Sequence, residues 1–255
     1  MTSGDGTTGG TTDCWERRSA PPAPPVAVHV FGDSLPQAEA FAGILADTGV
    51  SHGLVGPREV ARLWDRHLLN CAVIQDAFPE GAAVIDVGSG AGLPGIAVAI
   101  ARPDLALHLI EPMLRRTAWL SRTVSELGLA NCTVHRGRAE DFHGRLSAPF
   151  VTARAVARID KLARWTFPLL GAEGTLVAMK GRSALEELEA QRPALTRMGM
   201  VGARVSEHGV GLLEEPTRTL DLSVKRTPAK TGPRRGGARE HTGKRHSPAR
   251  GRRNR

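Results

Sequence analysis

Asp86 stands two residues before Gly88, the first of four glycines in Gly88-Ser89-Gly90-Ala91-Gly92-Leu93-Pro94-Gly95. The run leading into it, Ala82 to Val87, is apolar and β-branched at Val84, Ile85 and Val87, as in a strand covered on both faces. Glycines directly after such a strand let the backbone turn with positive φ and let a ligand lie close against the main chain. Pro94 has a fixed φ and no N–H, which suits the first turn of a helix expected over Leu93–Ala101. Strand, tight turn and helix together form a seat for a nucleotide-like ligand.

Gly90-Ala91-Gly92-Leu93-Pro94-Gly95 also satisfies the G-x-G-x-x-G dinucleotide pattern. A pyrophosphate, however, sits on free amides at a helix start. Here it would meet the negative charge of Asp86 and the missing donor of Pro94. S-adenosyl-L-methionine carries no phosphate and has a cationic sulfonium and ammonium, so an acidic strand end followed by this loop suits it better. A nicotinamide-dependent oxidoreductase is the competing reading. Glu111 lies about 20 residues beyond the loop, where a carboxylate can accept both ribose hydroxyls.

Further chemistry gathers where later strands should end: Arg138 to Glu140, Arg154 and Lys180. The fourth strand reads Thr152-Ala153-Arg154-Ala155-Val156. It lacks the Asn/Asp-Pro-Pro-aromatic motif common in exocyclic-amine methylation, and none of Cys14, Cys71 and Cys132 falls near it to serve a pyrimidine C5 mechanism. Such a site suits an acceptor that already has a free lone pair. Guanine N7 is one, needing no general base, with catalysis by alignment and by electrostatic handling of the transferred charge.

These positions require an α/β domain. Helical spacing places one helix from Leu35 to a stop at Gly49, with Ser34 and Gln37 at capping-box separation. A second opens at Pro57 with the stripe Val60, Leu63, Trp64, His67, Leu68, Cys71 and Ile74. On pattern alone His67 is a hydrogen-bonded core histidine. From Ala82 onward strands and helices alternate, implying βαβ crossovers and a mostly parallel sheet. The seven strand candidates are Ala82–Val87, Leu105–Ile110, Cys132–His135, Phe150–Arg154, Thr175–Lys180, Ala203–Glu207 and Thr219–Lys225. The last two have no helix between them and should form an antiparallel edge hairpin, an ending that resembles Rossmann-like methyltransferases.

At 255 residues and 41% hydrophobic content the chain can bury one such core. The expected organisation is a disordered tail over 1–25, a methyltransferase domain over 26–226 (helical extension 31–76, sheet core 82–226) and a disordered basic tail over 227–255. That last stretch carries a charge of +9, leaving the remainder at −1 out of a net +8. Its composition suits a disordered segment, either a loose phosphate-binding arm or a solvated extension. If the tail carried all the function, the protein would be a non-catalytic RNA binder. Three distant cysteines suggest neither a disulfide framework nor a metal site, and no apolar run is long enough to span a membrane. A cytoplasmic protein follows, and nothing supports a zinc or serine hydrolase.

Five stretches occur in order with suitable gaps: Arg66-His67-Leu68-Leu69, Asp86 through Ile96, Gly137-Arg138-Ala139-Glu140, Ala153-Arg154-Ala155 and Met179-Lys180-Gly181. Together they resemble the bacterial glucose-inhibited division protein B family, the 16S ribosomal RNA guanine-N7 methyltransferases, over about residues 31–225. The resemblance implies a class I methyltransferase fold and 16S rRNA or the small ribosomal subunit as partner; the sequence leaves the oligomeric state open, with a monomer favoured. It implies cofactor contacts at Gly88 and Leu93, at Ala139 and Glu140, and at Arg154, beside the strand-end set of Asp86, Gly90 and Glu111. It also implies that His67, Arg138, Arg154 and Lys180 lie on the substrate side, which reverses the core reading of His67. Asn70 and Cys71 stand where the family often has Asp and Ser, and Glu111 where it often has Asp.

Overall fold

The computed structural model describes residues 18–154 and 157–225. The expected basic tail and most of the expected N-terminal tail lie outside these. Residues 18–25, grouped with that tail by composition, instead pack on the core through Ala20 and Ala23, and the Trp64 indole N–H donates to the Pro21 carbonyl at 2.9 Å.

Two helices follow, α1 (Val26–Phe31) and α2 (Leu35–Ile44). The capping box at Ser34 does not form, because a 3-10 turn at Gly32–Ser34 feeds straight into α2 and leaves Ser34 near φ −86° and ψ 4°, away from an extended cap geometry. Gln37 donates to the Leu127 carbonyl instead. Winding widens over Leu45–Gly49, and the chain turns out at Gly53, with φ +67°, not at Gly49. The 57–77 segment carries 3-10 winding over Pro57–Arg62, π winding over Leu63–Leu69, one α turn (α3, Asn70–Ala72) and 3-10 winding over Val73–Ala77. Its expected stripe does turn inward: Leu63, Trp64, Leu68, Cys71 and Ile74 are buried.

All seven strands are present: β1 (Ala83–Val87), β2 (Ala106–Glu111), β3 (Cys132–Arg136), β4 (Ala148–Arg154), β5 (Leu170–Met179), β6 (Met200–His208) and β7 (Thr217–Lys225). They form one sheet in the order β3-β2-β1-β4-β5-β7-β6, parallel except for β7, which runs antiparallel to both neighbours. The closing hairpin therefore sits at the sheet edge, as its missing helix required. Connections are α4 (Gly95–Ala101), α5 (Leu114–Glu126), α6 (Ile159–Thr166) and α7 (Ala184–Arg197). Helix α4 opens at Gly95, two residues later than expected, because Leu93 and Pro94 complete the turn.

The sheet divides two cores. Val84, Leu107 and Leu109 face α4, α5 and the N-terminal helices, while Ile85, Val87, Ile110 and Val151 face α6 and α7. Alternation along each strand thus fixes which side chains meet which layer. The order reverses at β1, which pairs with β2 on one side and β4 on the other. That switch point leaves a crevice beyond the strands' carboxyl ends.

Candidate functional site

The glycine loop lies at this crevice and is held from below. Asp86 is completely buried; its Oδ2 accepts the Gly95 N–H at 3.1 Å, and Oδ1 has no hydrogen-bond partner among the described residues. Burial pushes the carboxyl up to about 7. Gly95 has no room for a side chain, since a Cβ there would collide with Leu109 and lie 2.7 Å from Asp86 Oδ2. Asp86 therefore acts beneath the loop, not on its open face as the charge argument expected. The third glycine of the dinucleotide match is likewise engaged: its amide is bonded to Asp86 and is not free for a phosphate.

Glu111, at the end of β2, grips the loop from the side. Its Oε2 accepts the Gly90 N–H at 3.1 Å and its Oε1 accepts the Met113 N–H at 2.9 Å. Gly88 and Gly90 both take positive φ, +75° and +53°. Leu93 packs half-buried against the core beside α4, its N–H donating to the Ser89 carbonyl at 3.2 Å.

Beyond the loop is a slot of about 260 Å³ lined by Val87, Gly88, Ile110, Pro112, Arg138, Ala139, Glu140 and Trp165. Its apolar walls suit a flat heterocycle. The structure thus joins Gly88, Ala139 and Glu140 as expected, but puts Arg138 in the slot and not with the other substrate-side candidates. Val87, Ile110, Pro112 and Trp165 carried no signal as site residues: Val87 and Ile110 are ordinary core types, Pro112 is an exposed residue just past β2, and Trp165 arrives from α6 only through tertiary packing.

His67, Arg154 and Lys180 line a second region. Two adjoining clefts, about 480 and 670 Å³, share Asn70, Arg154 and Glu215. Lys180 lines the first and His67 the second. Arg154 Nη1 donates to Cys71 Sγ at 2.9 Å, and Nη2 donates to the Arg66 carbonyl at 3.0 Å and to His67 Nδ1 at 3.2 Å. His67 Nε2 meets Glu59 Oε2 at 3.1 Å. Burial and the Arg154 guanidinium hold the His67 imidazole below its ordinary value, partly offset by Glu59. His67 is therefore a partly buried cleft residue. Lys180 Nζ bonds the Ala157 carbonyl at 2.8 Å and Glu187 at 2.9 Å, and Glu187 also accepts the Ile159 N–H at 2.6 Å.

One expectation is corrected here. Cys71, remote in sequence from the fourth strand, touches its last residue. It is fully buried, and burial raises its thiol to about 11, so it is no nucleophile; Cys132 is raised in the same way to about 12. Among the described residues there is no metal-binding cluster and no helix long and apolar enough to cross a membrane.

A seven-stranded sheet with an antiparallel edge pair, a glycine loop after β1 and an acidic β2 end define the class: a Rossmann-like, S-adenosylmethionine-dependent methyltransferase. The fold is similar to that of M. jannaschii TYW2 in complex with AdoMet, with a TM-score of 0.51 and 17% identity, over 65% of this chain and 78% of that one. Residues 34–211 match the family model described as GidB, rRNA small subunit methyltransferase G. Proteins named ribosomal RNA small subunit methyltransferase G are similar over most of the chain: that of Thermobifida fusca is 48% identical over 86% of this chain and 95% of its own length, and that of Pseudarthrobacter chlorophenolicus 51% over 80% and 95%. The chain belongs to the rRNA small subunit methyltransferase G family. This assignment supports the methyltransferase reading and not the dinucleotide or the non-catalytic RNA-binding alternative.

Proposed function

We propose that this protein transfers a methyl group from S-adenosyl-L-methionine to N7 of a guanine in 16S rRNA, with the naked RNA or the small ribosomal subunit as partner. The observation that carries this reading is the presence of two unlike spaces beyond the carboxyl ends of the central strands: an apolar slot beside a glycine loop, and a cleft lined by Arg154 and Lys180. The donor set fits the cofactor. Glu111 oxygens keep lone pairs beyond their two backbone bonds for ribose hydroxyls, and Val87, Ile110 and Trp165 offer walls for an adenine. When bound, the cofactor supplies an activated methyl on a cationic sulfur.

The residues around the cleft orient rather than exchange protons. Both described thiols are protonated, and His67 has each ring nitrogen engaged by a neighbour. Guanine N7 requires no proton removal, so this environment suffices for in-line attack. Two N–H groups of Arg154, on Nε and Nη1, have no partner among the described residues and are available for an anionic or carbonyl oxygen. The reading takes residues 26–226 as the methyltransferase domain and the enzyme as a cytoplasmic monomer.

The test is mass-spectrometric mapping of methylated nucleosides in 16S rRNA after unmodified small subunits are incubated with the protein and labelled S-adenosylmethionine. One new 7-methylguanosine is expected. Incorporation at another atom would overturn the acceptor assignment.

A further inference from the structure

A guanidinium has donors only, so His67 Nδ1, 3.2 Å from Arg154 Nη2, must accept. The ring proton then belongs on Nε2, where it is donated to Glu59 Oε2 at 3.1 Å. The opposite tautomer would set an N–H against an N–H at Arg154 and a lone pair against the Glu59 carboxylate. Protonation of the ring would disturb the same contact. With the Arg66 carbonyl and Cys71 Sγ as its other acceptors, Arg154 is held by three groups of the 57–77 segment, and His67 is the one whose acceptor state can change.

We propose that Glu59 is a positioning residue for methyl transfer, selecting the His67 tautomer that holds Arg154 toward the cleft. This rests on the methyltransferase reading and adds a residue that reaches the cleft chemistry only through two others. Charged groups around the His67 cleft are Glu59 and Arg62 from the 57–62 turn, Asp65 and Arg66 from its own turn and Arg154 from β4, with Glu214 and Glu215 across the same cleft. Glu59 favours the imidazolium, whereas burial and Arg154 oppose it and prevail.

Two variants separate positioning from simple support. Glu59→Gln keeps an oxygen to accept the Nε2–H but removes the charge. Its transfer rate at pH 8 stays within about threefold of wild type, and the acid limb of its kcat/KM profile moves to lower pH because the imidazolium loses a stabilising neighbour. Glu59→Ala removes the acceptor and lowers kcat/KM at pH 8 by about tenfold or more. A merely structural role would lower both variants alike and leave the acid limb in place.

Nitrogen-15 NMR of histidine and arginine side chains, in the full chain without cofactor or RNA, gives the second readout. Wild type and Glu59→Gln should show His67 as the Nε2–H tautomer with an immobilised Arg154 guanidinium; Glu59→Ala should show mixed tautomers and a mobile guanidinium. His67 found as the Nδ1–H tautomer in wild type, or an unchanged Arg154 signal in Glu59→Ala, would overturn the proposal. Absence of transfer by wild type would sink the methyltransferase reading alone, because the NMR result needs no reaction.

Discussion

Asp86→Asn is expected to make the protein more stable at pH 8 and less stable at pH 4. The folded carboxyl is raised from 3.8 to about 7 because it is wholly buried with one oxygen unpartnered. An acid whose folded value is raised binds more protons folded than unfolded, so its favourable contribution is complete below the unfolded value. It is lost as pH climbs from about 4 to about 7. At about 1.4 kcal/mol for each pH unit between the two values, the ionised group costs the fold about 4 kcal/mol at pH 8. Asparagine carries no charge, and its oxygen can still accept the Gly95 N–H. Its amide N–H₂ would replace the unpartnered oxygen as a buried donor, at a cost of about 1–3 kcal/mol. The net expectation is a gain of about 1–3 kcal/mol at pH 8. Near pH 4 the wild-type carboxyl is already neutral and only the cost of the amide remains. Urea unfolding of both proteins at intervals from pH 4 to 8, taken as the difference between the curves, isolates this group from every other titration. Parallel curves, or a variant weaker at every pH, would refute the claim that burial of a charge dominates at Asp86.

Three substitutions test the rest of the site. Gly88→Val places a β-branched residue at φ +75° on the slot wall, and calorimetry should show S-adenosylmethionine affinity falling at least tenfold; unchanged affinity would remove the slot from the cofactor. Gly95→Ala pushes a methyl against Leu109 and the Asp86 carboxylate, an overpacking cost of about 1–3 kcal/mol that thermal unfolding would report as a clear drop in Tm. Arg154→Lys keeps the charge but cannot reach Cys71, the Arg66 carbonyl and His67 together, so kcat/KM should fall at least tenfold with Tm lowered by only a few degrees. Equal loss of activity and stability would make Arg154 a structural residue.

The parts legible in the sequence are those governed by short-range rules. Val84, Ile85 and Val87 before four glycines specify a strand and a turn whatever surrounds them, and every later strand was readable from similar alternation. The missing helix between β6 and β7 was enough to place them at an edge. Local rules failed where a distant partner competed. Ser34 loses its cap to a preceding 3-10 turn, and Gln37 turns to Leu127, 90 positions away. Cys71 reaches Arg154 across 83 positions, so linear distance wrongly removed it from the fourth strand. Trp165 enters the slot only because α6 packs against β5 and the 139–142 turn.

The side of the sheet on which a residue falls explains why the strand-end set divides in two. Val87 and Ile110 point to the α6–α7 layer, and the slot forms there with Arg138, Ala139 and Glu140. Asp86 points to the opposite layer, under α4, which is why the most acidic feature of the loop is its foundation. Arg154 also turns toward that layer, reaching the 57–77 segment at Arg66, His67 and Cys71. The helical extension therefore does more than cover the sheet: it supplies the acceptors that hold the one arginine at the β4 end. A Rossmann-like sheet alone would leave that guanidinium without fixed partners. Position along a strand places a residue at the crevice, but its parity and the layer it meets decide whether it serves the donor slot or the substrate cleft.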